Sequence, residues 1–124
     1  MTLRQLHADF AWVVVGTNAA VGAWALAAHW QERLRARALW QATVVAELTI
    51  VLEVVLGVTL VTIDDYEVAQ FHAFYGFVAL ATIGIVYSYR HQLQPHLYLL
   101  YGLGGLFLMG LALRAITISP VPSP

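Results

Sequence analysis

The chain has 124 residues, 60% hydrophobic and 10% charged, whereas about a quarter of the residues in soluble domains are charged. Such a mixture cannot cover a soluble surface. It contains no cysteine, which excludes disulfides, thiolate metal ligands and iron–sulfur clusters, and a formal net charge of -1 gives no basis for nucleic-acid binding.

Four apolar stretches, each about long enough to cross a bilayer core, follow one another from about Phe10 to His29, Ala42 to Ile63, Val68 to Tyr87 and Leu97 to Ile118. They predict an all-α fold, a four-helix transmembrane bundle forming a single domain over residues 1–119. The closing Ser119-Pro120-Val121-Pro122-Ser123-Pro124 cannot continue a helix, so 120–124 is read as a short proline-rich tail. Ala25-Leu26-Ala27 has the small-residue pattern of a signal-peptide cleavage site, but Arg4 is offset by Asp9 and Asn18 interrupts the apolar run, which favours a retained span.

The connections are short. Arg33, Arg35, Arg37 and Arg90 fall in the first and third, while the second is Asp64-Asp65-Tyr66-Glu67. The positive-inside bias then puts the arginine-bearing loops in the cytoplasm and both termini outside, as in a multi-pass protein of the cell membrane. Trp30, Trp40, Tyr87, Tyr89 and Tyr98 fall where the inner aromatic belt of such a protein lies.

Helical spacing predicts the inward faces. On span one, His7, Ala11, Val14, Asn18, Gly22, Ala25 and His29 share a stripe that is small or polar apart from Val14. On span two the stripe runs through Ala42, Ala46, Thr49, Glu53, Gly57, Leu60 and Asp64, which points Glu53 into the bundle near the depth of Asn18. Span three aligns His72, Gly76, Ala79 and Ile83. Span four offers Gly102, Gly104, Gly105 and Gly110, explained by tight packing, with Arg114 one turn beyond.

Glu47 stands apart, on a face with Thr43, Val51, Val54, Val58 and Val61. A carboxylate there either snorkels to the inner surface or meets another chain, which makes it a candidate partner interface. The partners so implied are the lipid bilayer and either further copies of the chain or a larger membrane-protein complex.

Collected by depth, His7, Asn18, Glu53, His72 and Arg114 form a polar pocket in the outer half of the bundle. Burial of one charge costs roughly 2.5–3.5 kcal/mol, so the group implies mutual pairing or a ligand. A Glu53–Arg114 or Glu53–His72 pair that fixes helix order is one reading. The sharper one uses the two histidines, each near the outer end of an inward-running span. Opposed imidazoles in a bundle can supply both axial ligands to the iron of a heme b, with Ala11 and Gly76 leaving space for the macrocycle and Arg114 meeting the propionates. His29, His91 and His96 lie at the opposite surface and are read as interfacial.

The order of features also resembles a known family. His7 at the outer end of a span, an arginine-bearing inner loop, Leu56-Gly57-x-x-x-Val61 and then Phe71-His72 opening the next span resemble one four-helix half of the heme A synthase family and, more loosely, other bis-histidine membrane cytochromes. In that family such a half holds a heme between histidines of its two inward-running helices, and the resemblance carries those roles to His7 and His72. Ala8 stands where the family has an arginine and Glu53 where glutamine is usual, and the match covers about three spans of a single half. These departures set the chain apart from a complete heme A synthase.

No nucleophile with an adjacent base appears, so enzymatic activity is not supported. The function expected is that of a small accessory subunit of a larger membrane complex, respiratory in kind if it carries heme b. The alternative is a small proton-coupled transporter or channel built on the intramembrane carboxylate of Glu53.

Overall fold

Four helices account for the architecture: α1 over Leu3–Trp30, α2 over Arg37–Thr62, α3 over Gln70–Ser88 and α4 over Leu97–Thr117, with 3-10 turns at Glu32–Leu34 and Gln94–His96. The structure, a computed structural model, describes residues 1–63 and 70–118. Val68, the expected start of span three, the Asp64-Asp65 connection and the tail at 120–124 lie outside the described residues. All four helices are long and apolar enough to cross a membrane, and no strand occurs among the described residues.

Helix α1 starts well before the apolar run because Thr2 caps it. Thr2 Oγ1 accepts from the Gln5 amide at 3.1 Å while Gln5 Oε1 accepts from the Thr2 amide at 3.0 Å, a reciprocal capping box. The polar first turns are therefore helical, and His7 stands on rigid backbone. At 1.5 Å per residue the 28 residues of α1 reach about 42 Å, beyond a hydrocarbon core of about 30 Å.

The central contact is α1 against α4, with α2 laid on α1, α3 laid on α4, and α2 touching α3 only thinly. Glycine explains the first of these. A Cβ on Gly102 would stand 2.7 Å from Leu26 Cα, one on Gly22 2.8 Å from Leu106 N, and one on Gly105 2.9 Å from Gly22 Cα, so two antiparallel backbones lie directly on each other. Gly104 makes room for Val86, with 3.2 Å from a Cβ to its Cγ2. Gly110 meets nothing within 4 Å, so close packing accounts for three of the four glycines of span four.

Val14, Ile50, Ala79, Leu108 and Leu111 form the core at mid-bundle, and Ala25, Ala28 and Leu39 form a second cluster nearer the arginine-bearing end. The α1 stripe lies inward as read, with Val14, Asn18, Gly22 and Ala25 buried. On α2 the buried residues are Leu39, Thr43, Ala46, Ile50 and Leu60, with Glu53 and Gly57 partly covered. Steps of four and three make this a heptad seam, with Ala42 and Thr49 of the sequence-based stripe partly covered at its flank and Thr49 Oγ1 3.4 Å from Thr17 Oγ1 of α1. In a helix that is apolar all round, periodicity carries little phase information.

At the arginine-bearing end, Arg35 closes α1. Its Nε donates to the Ala28 carbonyl at 2.8 Å and its Nη2 to the His29 carbonyl at 3.0 Å, satisfying two of the terminal acceptors, while the guanidinium stands 4.8 Å over the Tyr98 ring. Trp24 Nε1 donates to the Leu34 carbonyl at 2.8 Å and holds the same connection from the other side.

Candidate functional site

Three of the five pocket residues converge near the end of the bundle that carries the N-terminus. Nδ1 of His7 on α1 lies 3.0 Å from Oε1 of Glu53 on α2, their side chains 21% and 14% exposed. The distance is that of an ion pair, but the two atoms lack hydrogen-bond alignment, and both are fully covered. The glycine of the Leu56-Gly57 pair explains how His7 gets there. A Cβ on Gly57 would stand 3.2 Å from His7 Cε1 and 3.5 Å from Nε2, so the imidazole occupies the space a side chain would need.

His72 reaches the same region from the start of α3. Its ring centroid is 6.1 Å from that of His7 with the planes 82° apart, and its Nδ1 bonds the Ala115 carbonyl of α4 at 2.8 Å. With Nδ1 as donor, the carbonyl fixes the tautomer of His72. Four helices thus contribute to one cluster: an imidazole from α1, a carboxylate from α2, an imidazole from α3 and a carbonyl from α4.

Asn18 and Arg114 do not join it. Asn18 is 2% exposed and donates to the Val14 carbonyl at 2.9 Å and the Ala46 carbonyl at 3.4 Å, which ties α1 to α2 two turns of α2 away from Glu53. Arg114 is exposed on α4 and forms no pair with Glu53. It follows Gly110 by one turn and so shares its open face, which corrects the inward placement read from the sequence. The other end of the bundle brings His29 within 6.0 Å of His96, ring centroid to centroid, with His91 and His96 exposed.

Glu47, expected to snorkel to the inner surface or to meet another chain, is partly covered. It lines a crevice of about 20 Å³ with Asn18, Thr43, Val86 and Tyr101, between the heptad seam of α2 and helices α3 and α4. The signal that would have found it is the Leu39, Thr43, Ala46, Ile50 register, which sets Glu47 beside the seam.

Among the described residues no group of three or more His, Cys, Asp or Glu side chains stands as a ready metal site, so a pair of imidazoles is what the cluster offers a metal. Ligating histidines as a rule engage their second ring nitrogen with a carboxylate or a carbonyl; Nδ1 of His72 does so with the Ala115 carbonyl, while Nδ1 of His7 lies 3.0 Å from Glu53 Oε1 without hydrogen-bond alignment. The His7 and His72 rings meet edge to face with centroids 6.1 Å apart, and Nε2 of His7 lies 3.5 Å from the position of a Cβ on Gly57. A cavity of about 50 Å³ adjoins the cluster, lined by Glu53, Gly76, Ala79, Ala112 and Ala115 among others. That holds a few waters, far below the roughly 300 Å³ of a small cofactor pocket, and Val54 Cγ2 stands 4.0 Å from the position of a Cβ on Gly76. Seating a macrocycle therefore requires α2 and α3 to part, and they make the thinnest contact of the adjacent helix pairs.

Compared with protein-family models, with curated proteins and with solved structures, the chain matches none.

Proposed function

We propose that the chain is a multi-pass protein of the cell membrane, with both termini outside, that holds a heme b through His7 and His72 and serves as a small accessory subunit of a larger membrane complex. The observation that carries this reading is the meeting of two imidazoles from helices that run in the same direction, 6.1 Å apart, each with its Nδ1 within 3.0 Å of an oxygen. Glu53 and the Ala115 carbonyl orient the rings, Gly57 gives His7 its seat, and the small residues Gly76, Ala79, Ala112 and Ala115 border the adjoining space. A heme held in this way supplies one-electron transfer, with its potential set by the axial ligands and by what bonds to them. The short connection between α1 and α2, residues 31–36, suits a subunit working inside an assembly.

The test is colour. Protein purified from cells with ample heme shows a Soret band and split visible bands on reduction, and His7→Ala or His72→Ala removes them without changing the elution volume. A colourless wild-type preparation overturns the assignment.

A further inference from the structure

Four of the chain's six arginines, Arg33, Arg35, Arg37 and Arg90, stand in or beside the two connections at one end of the bundle, and those connections hold a single carboxylate, Glu32. Two of the four are committed to the fold. Arg35 caps α1 through the Ala28 and His29 carbonyls, and Arg90 Nη1 donates to the Tyr87 carbonyl at 2.7 Å with its guanidinium 3.6 Å over the Tyr87 ring. Arg33 and Arg37 are exposed, and neither guanidinium bonds or pairs with another of the described residues.

The backbone sets where these cations stand. Ala36 is extended, with φ -141° and ψ 155°, so Arg37 leaves the chain on the same side as Arg35, roughly 6–7 Å further along. Arg35 lies over the Tyr98 ring and against the end of α1, where the His29 ring meets that of Trp30 at 4.7 Å and that of His96 at 6.0 Å between centroids. Neither imidazole has a hydrogen-bond partner among the described residues, and each carries at least one ring N–H. Trp30 is 68% exposed, and Tyr87 and Tyr89 are exposed at the same end, where amphipathic rings mark the depth of the headgroups. Guanidinium and imidazole donors at that depth, opposed by one carboxylate, are complementary to phosphate.

We propose that this end of the bundle binds an anionic phospholipid, its phosphate taken by Arg33 and Arg37 and its headgroup bordered by His29, His96 and Trp30. A lipid is the occupant because the patch lies where the apolar spans end, so acyl chains run along the helices while the phosphate meets the arginines. A zwitterionic lipid brings its own ammonium to the same place and leaves less net attraction, which gives the site its preference for net negative charge. The inference rests on the four helices lying in a bilayer and is independent of heme.

Native mass spectrometry of the full chain released from neutral detergent, titrated with phosphatidylglycerol or phosphatidylcholine of the same acyl chains, tests this. The wild type binds phosphatidylglycerol about tenfold more tightly, and the double variant Arg33→Gln/Arg37→Gln binds the two lipids alike, with its affinity for phosphatidylcholine unchanged. Arg114→Gln removes an exposed charge at the other end of α4 and keeps the preference. Equal affinity of the wild type for the two lipids, a preference that survives in the double variant, or one that falls as far in Arg114→Gln overturns the site. Displacement of phosphatidylglycerol by an equal concentration of soluble glycerol phosphate overturns the choice of a lipid. Should the double variant fail to fold, the wild type decides: raising ammonium acetate about tenfold removes the preference by screening, and a preference indifferent to salt refutes it.

Discussion

The imidazole of His7 sits against Gly57 with its Nδ1 3.0 Å from Glu53 Oε1, so one turn of α2 supplies both the space and the charge that position it. A side chain larger than hydrogen at position 57 competes with the ring. Gly57→Ala displaces it by a few tenths of an ångström, and Gly57→Leu expels it. Heme content measured in the purified variants should fall in that order, with helicity by circular dichroism unchanged. Full heme content in Gly57→Leu would show that His7 is not held as described.

In the proposed heme-bound form Glu53 would act on the iron through His7. Glu53→Ala removes the acceptor at Nδ1 and should weaken heme retention by about 10–100-fold. Glu53→Gln keeps an oxygen acceptor but not the charge, so the pigment stays while ferric iron loses a stabilising anion. Its midpoint potential then rises by roughly tens of millivolts in a redox titration. A lowered or unchanged potential would place the carboxylate elsewhere in the bound form.

The contact between α1 and α4 sorts the glycines. Gly102→Ala drives a methyl into Leu26 backbone and should cost about 1–3 kcal/mol, whereas Gly110→Ala, which meets nothing within 4 Å, should change stability by less than about 1 kcal/mol in either direction. Reversible unfolding in mixed detergent micelles reads both, and equal stability of the two variants would contradict the antiparallel register.

Arg35 is exposed, yet its guanidinium caps α1. Arg35→Ala should lower stability by about 1–2 kcal/mol through loss of the bonds to the Ala28 and His29 carbonyls, and Arg35→Lys should restore little, because an ammonium cannot span both carbonyls with the guanidinium fork. Replacing Arg33, which is exposed, serves as the matched control and leaves the unfolding curve in place.

The four spans and the α1 stripe were legible because apolar length and a run of small residues around Asn18 are strong local signals. Helix ends were less so. Thr2 and Gln5 start α1 by hydrogen bonding, which hydropathy does not record, and so the turn that bears His7 lay outside the apolar run. Helical phase gathered His7, Glu53 and His72 on inward faces, but the pairs expected for Glu53 were with Arg114 or His72 and its depth was matched to Asn18, whereas it pairs with His7. The exclusion of Arg114 depends on which side of α4 the glycines at 102 and 105 turn to α1. The neighbours of Glu47 on α3 and α4 went unread for a related reason. Valine on every face of α2 hides the heptad, and only packing against α3 and α4 reveals that Thr43 and Glu47 look inward.

The most direct measurement is the heme content of the purified chain by pyridine hemochrome assay, made in parallel on His72→Ala. The account predicts about one heme b per wild-type chain and none in the variant. A wild-type chain that folds and elutes normally from heme-replete cells without bound heme would contradict it.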